Sequence, residues 1–271
     1  CGCIGQHAMK FVNGIVYWMG ESGGFFVFDG TVKSLPCAVE DFVFTTKNGN
    51  NLGVNYSAGE SVYVGLNHLY EEICWYYPQA TSSFNDRYVC YNYQDNTWVT
   101  GSLSRTTWVD ANLYENPYAT EFNSTGTGTF PTVQGVTNIN GSTKYFEHEK
   151  GVNEVDTAGN KTAIPAFIES GDFSLNPEGT NGEFFMSMRR FVPDFKTIQG
   201  NAQVTILLRD FPSDTEASSP LGPFTVTGST QKVDTRARAR FASLKIANTS
   251  TDENWRFGTF RADVQLDGMR G

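Results

Sequence analysis

Residues 14–30 read GIVYWMGESGGFFVFDG, and residues 73–98 read ICWYYPQATSSFNDRYVCYNYQDNTW. Each stretch is a pair of segments rich in aromatic and β-branched residues, and each is closed by a tight turn, at Asp29-Gly30 and at Gln94-Asp95-Asn96. Such runs bounded by Gly, Asn and Asp are typical of β-strands. A hairpin unit that recurs along a chain predicts the blades of a β-propeller, a fold that does not by itself specify a function.

The first stretch extends into a meander. Asn13-Gly14 is a strong hairpin signal, and it links a strand ending at Phe11-Val12 to further strands. These strands are predicted at 15–19, 24–28 and 31–35. Residues 37–44 follow, with an apolar spacing near 3.6 that fits a short helix as well as a fourth strand.

Two more strand units are predicted before residue 150. The second has segments at 61–77, 86–93, 97–101 and 105–109, and the third covers about 117–150 with a Thr/Gly-rich loop at Ser124–Thr129. A propeller needs at least four blades, so the remaining blades are expected upstream or in other copies of the chain. Because the chain begins at Cys1 without an initiator Met, we interpret it as a fragment of a longer protein.

The character of the sequence changes after residue 150. Residues 151–163 are polar and rich in turn formers, which predicts a linker loop. Beyond it, residues 164–271 form longer segments with charged residues at alternate positions, which favours an antiparallel β-sandwich-like domain. The predicted fold class is therefore all-β, with partial β-propeller platform blades in 1–150 followed by this second domain.

The charge of the chain excludes some partners. Of its 271 residues, 20 are Lys or Arg and 29 are Asp or Glu, for a formal net charge of −9. Residues 1–180 carry 8 basic and 19 acidic side chains, a net −11, whereas residues 181–271 carry 12 and 10, a net +2. Affinity for phosphate comes from clustered Lys and Arg, so such a chain is a poor general nucleic-acid binder. No stretch of about 18 apolar residues occurs, so no membrane-spanning segment is predicted.

The five cysteines do not form a framework spacing. Cys74 and Cys90 lie on the two strands of one hairpin, where they are able to face each other. We nevertheless expect all five to be reduced, buried and apolar.

Motifs that carry catalytic or metal chemistry are missing from the sequence. His7, His68 and His148 are scattered and make no zinc spacing, and no nucleotide-binding or hydrolase signature occurs. We therefore predict no cofactor and no enzymatic activity.

Two carboxylate pairs and one tryptophan pair remain as glycosidase-like candidates. Neighbouring residues of a strand point to opposite faces, so Glu71 and Glu72 cannot share a site, whereas Glu147 and Glu149 can. Trp75 and Trp98 are able to form a sugar-stacking platform, although they fit a hydrophobic core better.

One charged motif stands apart. Arg236, Arg238 and Arg240 alternate with small and apolar residues, so on a strand all three guanidinium groups project from one face. Such a stripe is able to bind phosphate or a partner's carboxylates. The alternative is that it pairs with acidic residues of a neighbouring strand or subunit, which the acidic composition favours.

The residues also suggest a family. The run Gly14–Cys37 (GIVYWMGESGGFFVFDGTVKSLPC) resembles a segment of virion tail proteins from short-tailed bacteriophages, as do Asn85–Trp98, Glu169–Phe173 and Arg236–Ser243. These are the tail nozzle, or tail tube B-like, proteins, also described as packaged-DNA stabilization proteins. The resemblance covers about residues 5–267, and its motifs are structural rather than catalytic.

The resemblance implies a propeller platform with added β domains, assembled as a homo-oligomer. In that family a hexameric ring lies below the portal and adaptor proteins, retains packaged double-stranded DNA, conducts it during ejection and anchors tail fibres. Such proteins act in the virion after assembly in the host cytoplasm, and they offer no catalytic residue to carry over. An acidic wall fits this role, because it repels phosphate and lets a duplex slide.

Two other hypotheses remain open. One is a glycan-binding or glycan-cleaving β-propeller, such as a receptor-binding tail protein, which requires a pocket with paired carboxylates and exposed aromatic rings. The other is a propeller scaffold of a cellular assembly. A ring of defined stoichiometry favours the nozzle, whereas a stable monomer with glycan affinity favours the glycan hypothesis.

Overall fold

The computed structural model describes residues 1–45, 53–112, 114–130, 139–176, 184–211, 214 and 220–269, with backbone alone at 123–130 and 139–142. The described chain is all-β: several small antiparallel sheets, with one short α-helix and one 3₁₀ helix. It divides into two compact units, unit 1 (residues 1–150) and unit 2 (residues 151–271).

The first sheet of unit 1 is an antiparallel meander in chain order. Its strands are β1 (Met9–Val12), β2 (Ile15–Met19), β3 (Phe25–Phe28) and β4 (Val32–Leu35). The turn between β1 and β2 holds Asn13 and Gly14 at φ of 50° and 87°, so the predicted hairpin is confirmed. The open alternative at 37–44 resolves to a helix, α1 (Glu40–Phe44).

The second sheet repeats this topology after a 3₁₀ helix at Tyr56–Ser61. Its strands are β5 (Tyr63–Asn67), β6 (Glu72–Tyr77), β7 (Arg87–Asn92) and β8 (Thr97–Ser102). The segment predicted at 61–77 is divided into two strands, since β5 and β6 form a hairpin there. Glu71 adopts a φ of 58° in the turn that joins them, a conformation that the strand pattern around it does not reveal.

The third sheet has three strands, in the order β11-β10-β9. They are β9 (Thr107–Val109), β10 (Tyr118–Phe130) and β11 (Ile139–Glu147). The loop predicted at Ser124–Thr129 is wrong, because this segment lies inside β10. Pairing with β11 outweighs the local glycines, although the register shifts between Asn123 and Gly128.

The first and second sheets share one aromatic core. Alternate residues of β6, among them Ile73 and Trp75, enter this core together with Phe25 of β3. The Phe25 and Trp75 rings lie 4.9 Å apart, and the Trp75 indole donates a 2.9 Å hydrogen bond to the Ala8 carbonyl. Burial of each such side chain contributes about 1.5–3 kcal/mol, so this core is a main source of unit 1's stability.

The other face of the second sheet is covered too. Cys74, Tyr76 and Cys90 pack there with Trp108 of β9 and Ala119 of β10. Gly65 of β5 lies directly under the Trp108 ring, where an added Cβ would come within 2.5 Å of a ring carbon. The second sheet is therefore apolar and buried on both faces in β6 and the middle of β7, while the residues of its edge strand β8 are exposed or half-buried.

The first strand of each sheet contacts the first strand of the next. β1 contacts β5, and β5 contacts β9. The Asp110 carboxylate, just after β9, accepts a 3.0 Å hydrogen bond from the Leu66 amide of β5. It also forms a 2.5 Å ion pair with Lys10 of β1. One carboxylate thus links all three first strands.

The described residues of unit 2 form four antiparallel sheets. Their orders are β14-β20-β17-β18, β19-β15-β22, β16-β21 and β12-β13. The strands are β12 (Asn153–Val155), β13 (Lys161–Ala163), β14 (Ala166–Glu169), β15 (Phe184–Val192), β16 (Phe195–Gln199), β17 (Ala202–Arg209), β18 (Leu221–Val226), β19 (Val233–Ala239), β20 (Phe241–Asn248), β21 (Asn254–Phe257) and β22 (Arg261–Met269). The segment predicted as a linker, 151–163, holds the β12–β13 ladder.

Unit 2 has its own core between two of these sheets. β17 alternates between buried and half-buried residues, and its Val204 and Ile206 pack with Met188 of β15 and Ala237 of β19. Alternation of this kind is typical of strands with one face in a core. β19 and β20 follow each other along the chain but belong to different sheets, because the chain leaves one sheet at Arg240 and joins the other.

Candidate functional site

The predicted arginine stripe begins on β19. Arg236 and Arg238 are exposed, while the residues that alternate with them, Thr235, Ala237 and Ala239, are buried. Arg240 lies just beyond the strand and is half-buried. The alternation on β19 thus places two of the three guanidinium groups on one strand face.

Arg238 and Arg240 already have partners. The Arg238 guanidinium forms a 2.6 Å ion pair with Asp267 and lies 4.1 Å from the centre of the Phe185 ring. The Arg240 guanidinium lies 5.1 Å from Phe185 and 5.5 Å from Phe211. These two arginines are partly satisfied by unit 2 itself.

Arg236 differs from them. Within the described residues, neither Arg236 nor Arg189 forms an ion pair, and both line an open groove of about 540 Å³. Ser187, Asp234, Thr235 and the ion-paired Arg238 complete its polar lining, and the β15–β19 ladder shifts register beside it. The groove therefore presents two guanidinium groups without an ion-pair partner among the described residues, which are able to bind an anion.

A second candidate surface is the outer face of the first sheet, opposite its core face. It consists of two cross-strand rows: Met9, Trp18, Phe26 and Ser34, then Phe11, Val16, Phe28 and Val32. Met9, Phe11, Phe28 and Val32 are 53%, 66%, 43% and 52% exposed. An exposed apolar patch of this kind marks an interaction surface. The continuous apolar run at 25–28 was a sequence signal for this surface, because a strand with one solvent-exposed face alternates apolar and polar residues.

A polar cluster lies at the end of β11. Arg105 is buried and donates a 2.8 Å hydrogen bond from Nε to Nε2 of His148. Its guanidinium also lies 3.9 Å from the Phe146 ring centre and 3.8 Å from the Glu121 carboxylate. Burial, and secondly the Arg105 charge, lower the pKa of His148 to about 4, so His148 is a neutral acceptor at pH 7.

The candidate carboxylates have separate partners. The Glu147 carboxylate accepts hydrogen bonds from Asn116 and Lys150, whereas the Glu149 carboxylate accepts a 2.9 Å hydrogen bond from Asn67. The backbone of Glu149 has a φ of 59°. Burial, and secondly the Glu149 charge, raise the pKa of Glu72. The pair that the structure couples is therefore Glu72 and Glu149, which sequence spacing did not predict.

The cysteine expectation was wrong: one pair is oxidised, and none of the three free cysteines is fully buried. Cys74 and Cys90 are opposite each other in the β6–β7 ladder, with Cα atoms 4.0 Å apart, and they form a disulfide. Cys1, Cys3 and Cys37 are free thiols, and burial raises the pKa of Cys37 to about 11. The hairpin assignment allowed this pairing, but composition alone argued against it.

The tryptophan pair belongs to the core. Trp75 is fully buried, and its ring centre lies 6.2 Å from that of the half-buried Trp98. A separate polar cavity of about 270 Å³ lies near the start of β5, lined by His7, Glu60, Tyr63 and Asn85 among others. Asn85 is buried, and its side-chain oxygen has no hydrogen-bond partner in the described part of the chain.

No protein-family model matches this chain, and no curated protein matches it either. Among the described residues, no helix has the length and apolar character needed to cross a membrane. The surfaces above are therefore interpreted from their own geometry.

Proposed function

We propose that this chain is a structural protein of a bacteriophage tail, part of the oligomeric nozzle below the portal and adaptor. In this proposal it has no enzymatic activity, forms a hexameric ring in the virion after assembly in the host cytoplasm, contacts tail fibres and passes double-stranded DNA during ejection. Unit 1 would carry propeller blades and unit 2 a β-sandwich. The family resemblance of the sequence is the starting point of the proposal.

The observation that carries the proposal is the outer face of the first sheet. Within unit 1, the first and second sheets pack through apolar faces, and the second sheet is covered again by residues of the third. The outer face has the same apolar character, and Met9, Phe11, Phe28 and Val32 on it are exposed, while Trp18 between them is buried. It therefore fits a further sheet of the same kind, as expected for a protein whose role is assembly.

The order of the first strands supports blades. In a propeller, the first strand of each blade lies next to the first strand of its neighbours around the central channel. The contacts from β1 to β5 to β9, linked by Asp110, have this pattern.

The charge of the chain supports a tube that conducts DNA. Residues 1–180 carry a net charge of −11, which repels a duplex rather than holding it. The groove at Arg189 and Arg236 then serves contacts with acidic groups of a neighbouring subunit rather than with DNA.

The proposal is tested by the assembly state of the purified chain. We expect mass photometry and negative-stain electron microscopy to show a ring of defined stoichiometry. The double variant Phe11→Ser/Phe28→Ser should reduce assembly, because it places two hydroxyl groups in the apolar contact. Phe42→Ser, at an exposed phenylalanine outside the outer face, is the matched control and should assemble as the parent does.

A concentration-independent monomer would contradict the nozzle proposal. A ring that forms equally well with the double variant would contradict the outer face as its contact, and with it the observation that carries the proposal.

The alternative is a glycan-binding or glycan-cleaving β-propeller, favoured by the polar cavity at Tyr63. Aromatic rings, a carboxylate and buried amide oxygens are groups that bind sugars, and the cavity combines the stacked His7–Tyr63 pair with Glu60 and Asn85. This function predicts saturable binding on a glycan array that Glu60→Gln and Tyr63→Ala abolish. No binding, together with ring assembly, would rule it out.

A further inference from the structure

The face of the second sheet that packs under Trp108 carries three side chains with metal-binding atoms. Cys74 and Cys90 are directly opposite each other on β6 and β7, and Glu72 lies two residues before Cys74, on the same face. One carboxylate oxygen of Glu72 and the two sulfur atoms all lie within 4.8 Å of one another. In the described part of the chain, no other set of three or more such side chains comes this close together.

The surroundings of this cluster suit a cation. None of the ion pairs among the described residues involves Glu72 or Glu149. Asn67 lies directly opposite Glu72 in the β5–β6 ladder and donates a 2.9 Å hydrogen bond to Glu149, which places Glu149 at the Glu72 end of the second sheet. Both cysteines are only 6% exposed, whereas Glu149 is exposed, so a cation would enter from the Glu149 side.

We propose that, when its disulfide is reduced, the Cys74–Cys90 pair and Glu72 form a binding site for a thiophilic divalent cation of the Zn²⁺ class. Two thiolates and a carboxylate are ligands that Zn²⁺ accepts, at about 2.3 Å for sulfur and about 2.0–2.2 Å for oxygen. Glu149 or a water molecule supplies the fourth position. The disulfide and the metal are alternatives, because Zn²⁺ binds thiolates and the two sulfur atoms carry that negative charge only after the S–S bond is broken. The inference does not depend on the proposed function.

The chemistry is an exchange with a reductant of the phosphine class. The phosphine attacks one sulfur and breaks the S–S bond; one water molecule then supplies the oxygen of the phosphine oxide and the two protons of the thiols. Binding of the cation displaces both thiol protons and leaves two thiolate ligands. A disulfide oxidant reverses the exchange: it is reduced to two thiols, the S–S bond re-forms and the cation leaves.

The site is tested with Co²⁺ as the probe, on the whole chain. We expect the phosphine-reduced protein, without oxygen, to bind one Co²⁺ at this site with the intense visible and sulfur-to-metal absorption of a tetrahedral thiolate centre, and Zn²⁺ to displace it. The oxidised protein should show none of this absorption. Cys90→Ser should abolish it, and Glu72→Gln should weaken Co²⁺ binding by at least about tenfold.

The other thiols provide the matched control. The triple variant Cys1→Ser/Cys3→Ser/Cys37→Ser should keep the absorption in full. The proposal is overturned if that variant loses it while Cys90→Ser keeps it, because the metal then lies at the other cysteines. It is also overturned if thiol counting finds only three thiols in the folded, phosphine-treated chain. Circular dichroism of Glu72→Gln, a substitution of the same size, separates loss of a ligand from loss of the fold.

Discussion

The first and second sheets of unit 1 have the same topology but differ in what lies on their faces. Each is a four-stranded antiparallel meander in chain order, and each places one face in the shared aromatic core. The second sheet is covered again by Trp108 and Ala119 and carries a disulfide, whereas Met9, Phe11, Phe28 and Val32 on the outer face of the first sheet are exposed. Equal topology therefore does not imply equal burial, and the uncovered face is where we expect a partner.

The largest effect is expected from a substitution in the aromatic core that the two sheets share. Trp75→Ala removes a fully buried indole that contacts Phe25 and bonds to the Ala8 carbonyl. We expect a loss of about 3–5 kcal/mol in the free energy of unfolding. Urea denaturation followed by circular dichroism measures it.

Trp98→Ala is the matched comparison for that experiment. Trp98 is half-buried, so its truncation leaves a smaller cavity and should cost clearly less than Trp75→Ala. Equal losses would contradict the assignment of Trp75 to the centre of the core.

The strands of unit 1 were largely predictable from the sequence, because their signals are local. Aromatic runs and the Asn13-Gly14 turn specify the first sheet without help from distant residues. The errors fall where distant pairing decides. Ser124–Thr129 contains turn formers but lies inside β10, where Gly128 and Thr129 pair with β11, and the bend at Glu71 has no local signature.

The next largest effect is expected from a substitution on the covered face of the second sheet, which has no counterpart on the outer face of the first. Gly65→Ala places a methyl group about 2.5 Å from the Trp108 ring, and the buried indole has little room to move. Overpacking of this kind costs about 1–3 kcal/mol. Differential scanning calorimetry should show a lower Tm. Gly171→Ala, where nothing lies within 4 Å of the added carbon, should leave the Tm unchanged.

His148 gives the covered side of unit 1 a pH dependence. Its pKa falls from about 6.5 to about 4 on folding, so between these values the unfolded chain binds more protons than the folded one. Stability is therefore complete above pH 6.5 and decreases as the pH falls towards 4. Because the side chain is partly exposed, we expect a loss on the order of 2 kcal/mol.

The His148→Gln variant isolates this contribution. Glutamine keeps an acceptor for the Arg105 Nε–H but does not titrate, so its free energy of unfolding should vary less between pH 6.5 and 4 than that of the parent. Urea denaturation at several pH values measures the difference. Parallel curves for the two proteins would contradict a neutral, half-buried His148.

The candidate surfaces were harder to predict than the strands. Alternation on β19 was enough to predict that Arg236 and Arg238 share one face. The ion pair between Arg238 and Asp267 could not be predicted, because β19 and β22 are distant in the chain. The Glu72–Cys74–Cys90 cluster also depends on register. A shift of one residue between β6 and β7 would take the two cysteines out of opposition, and composition does not report register.

The smallest effect is expected on the outer face of the first sheet, where two substitutions on β3 compare that face with the core face. Phe28→Ser changes a side chain that is 43% exposed, so the free energy of unfolding of the monomer should change by less than about 0.5 kcal/mol. Phe25→Ser, three residues away on the core face, removes a ring that is 1% exposed and packs on Trp75, and it should cost several times more. Denaturation at low protein concentration, where association is weak, makes this comparison. If Phe28→Ser costs as much as Phe25→Ser, residues of the same chain cover the outer face and it is not free to bind a partner. If Phe28→Ser is neutral for the monomer but lowers the stability measured at high concentration, the outer face contributes through association.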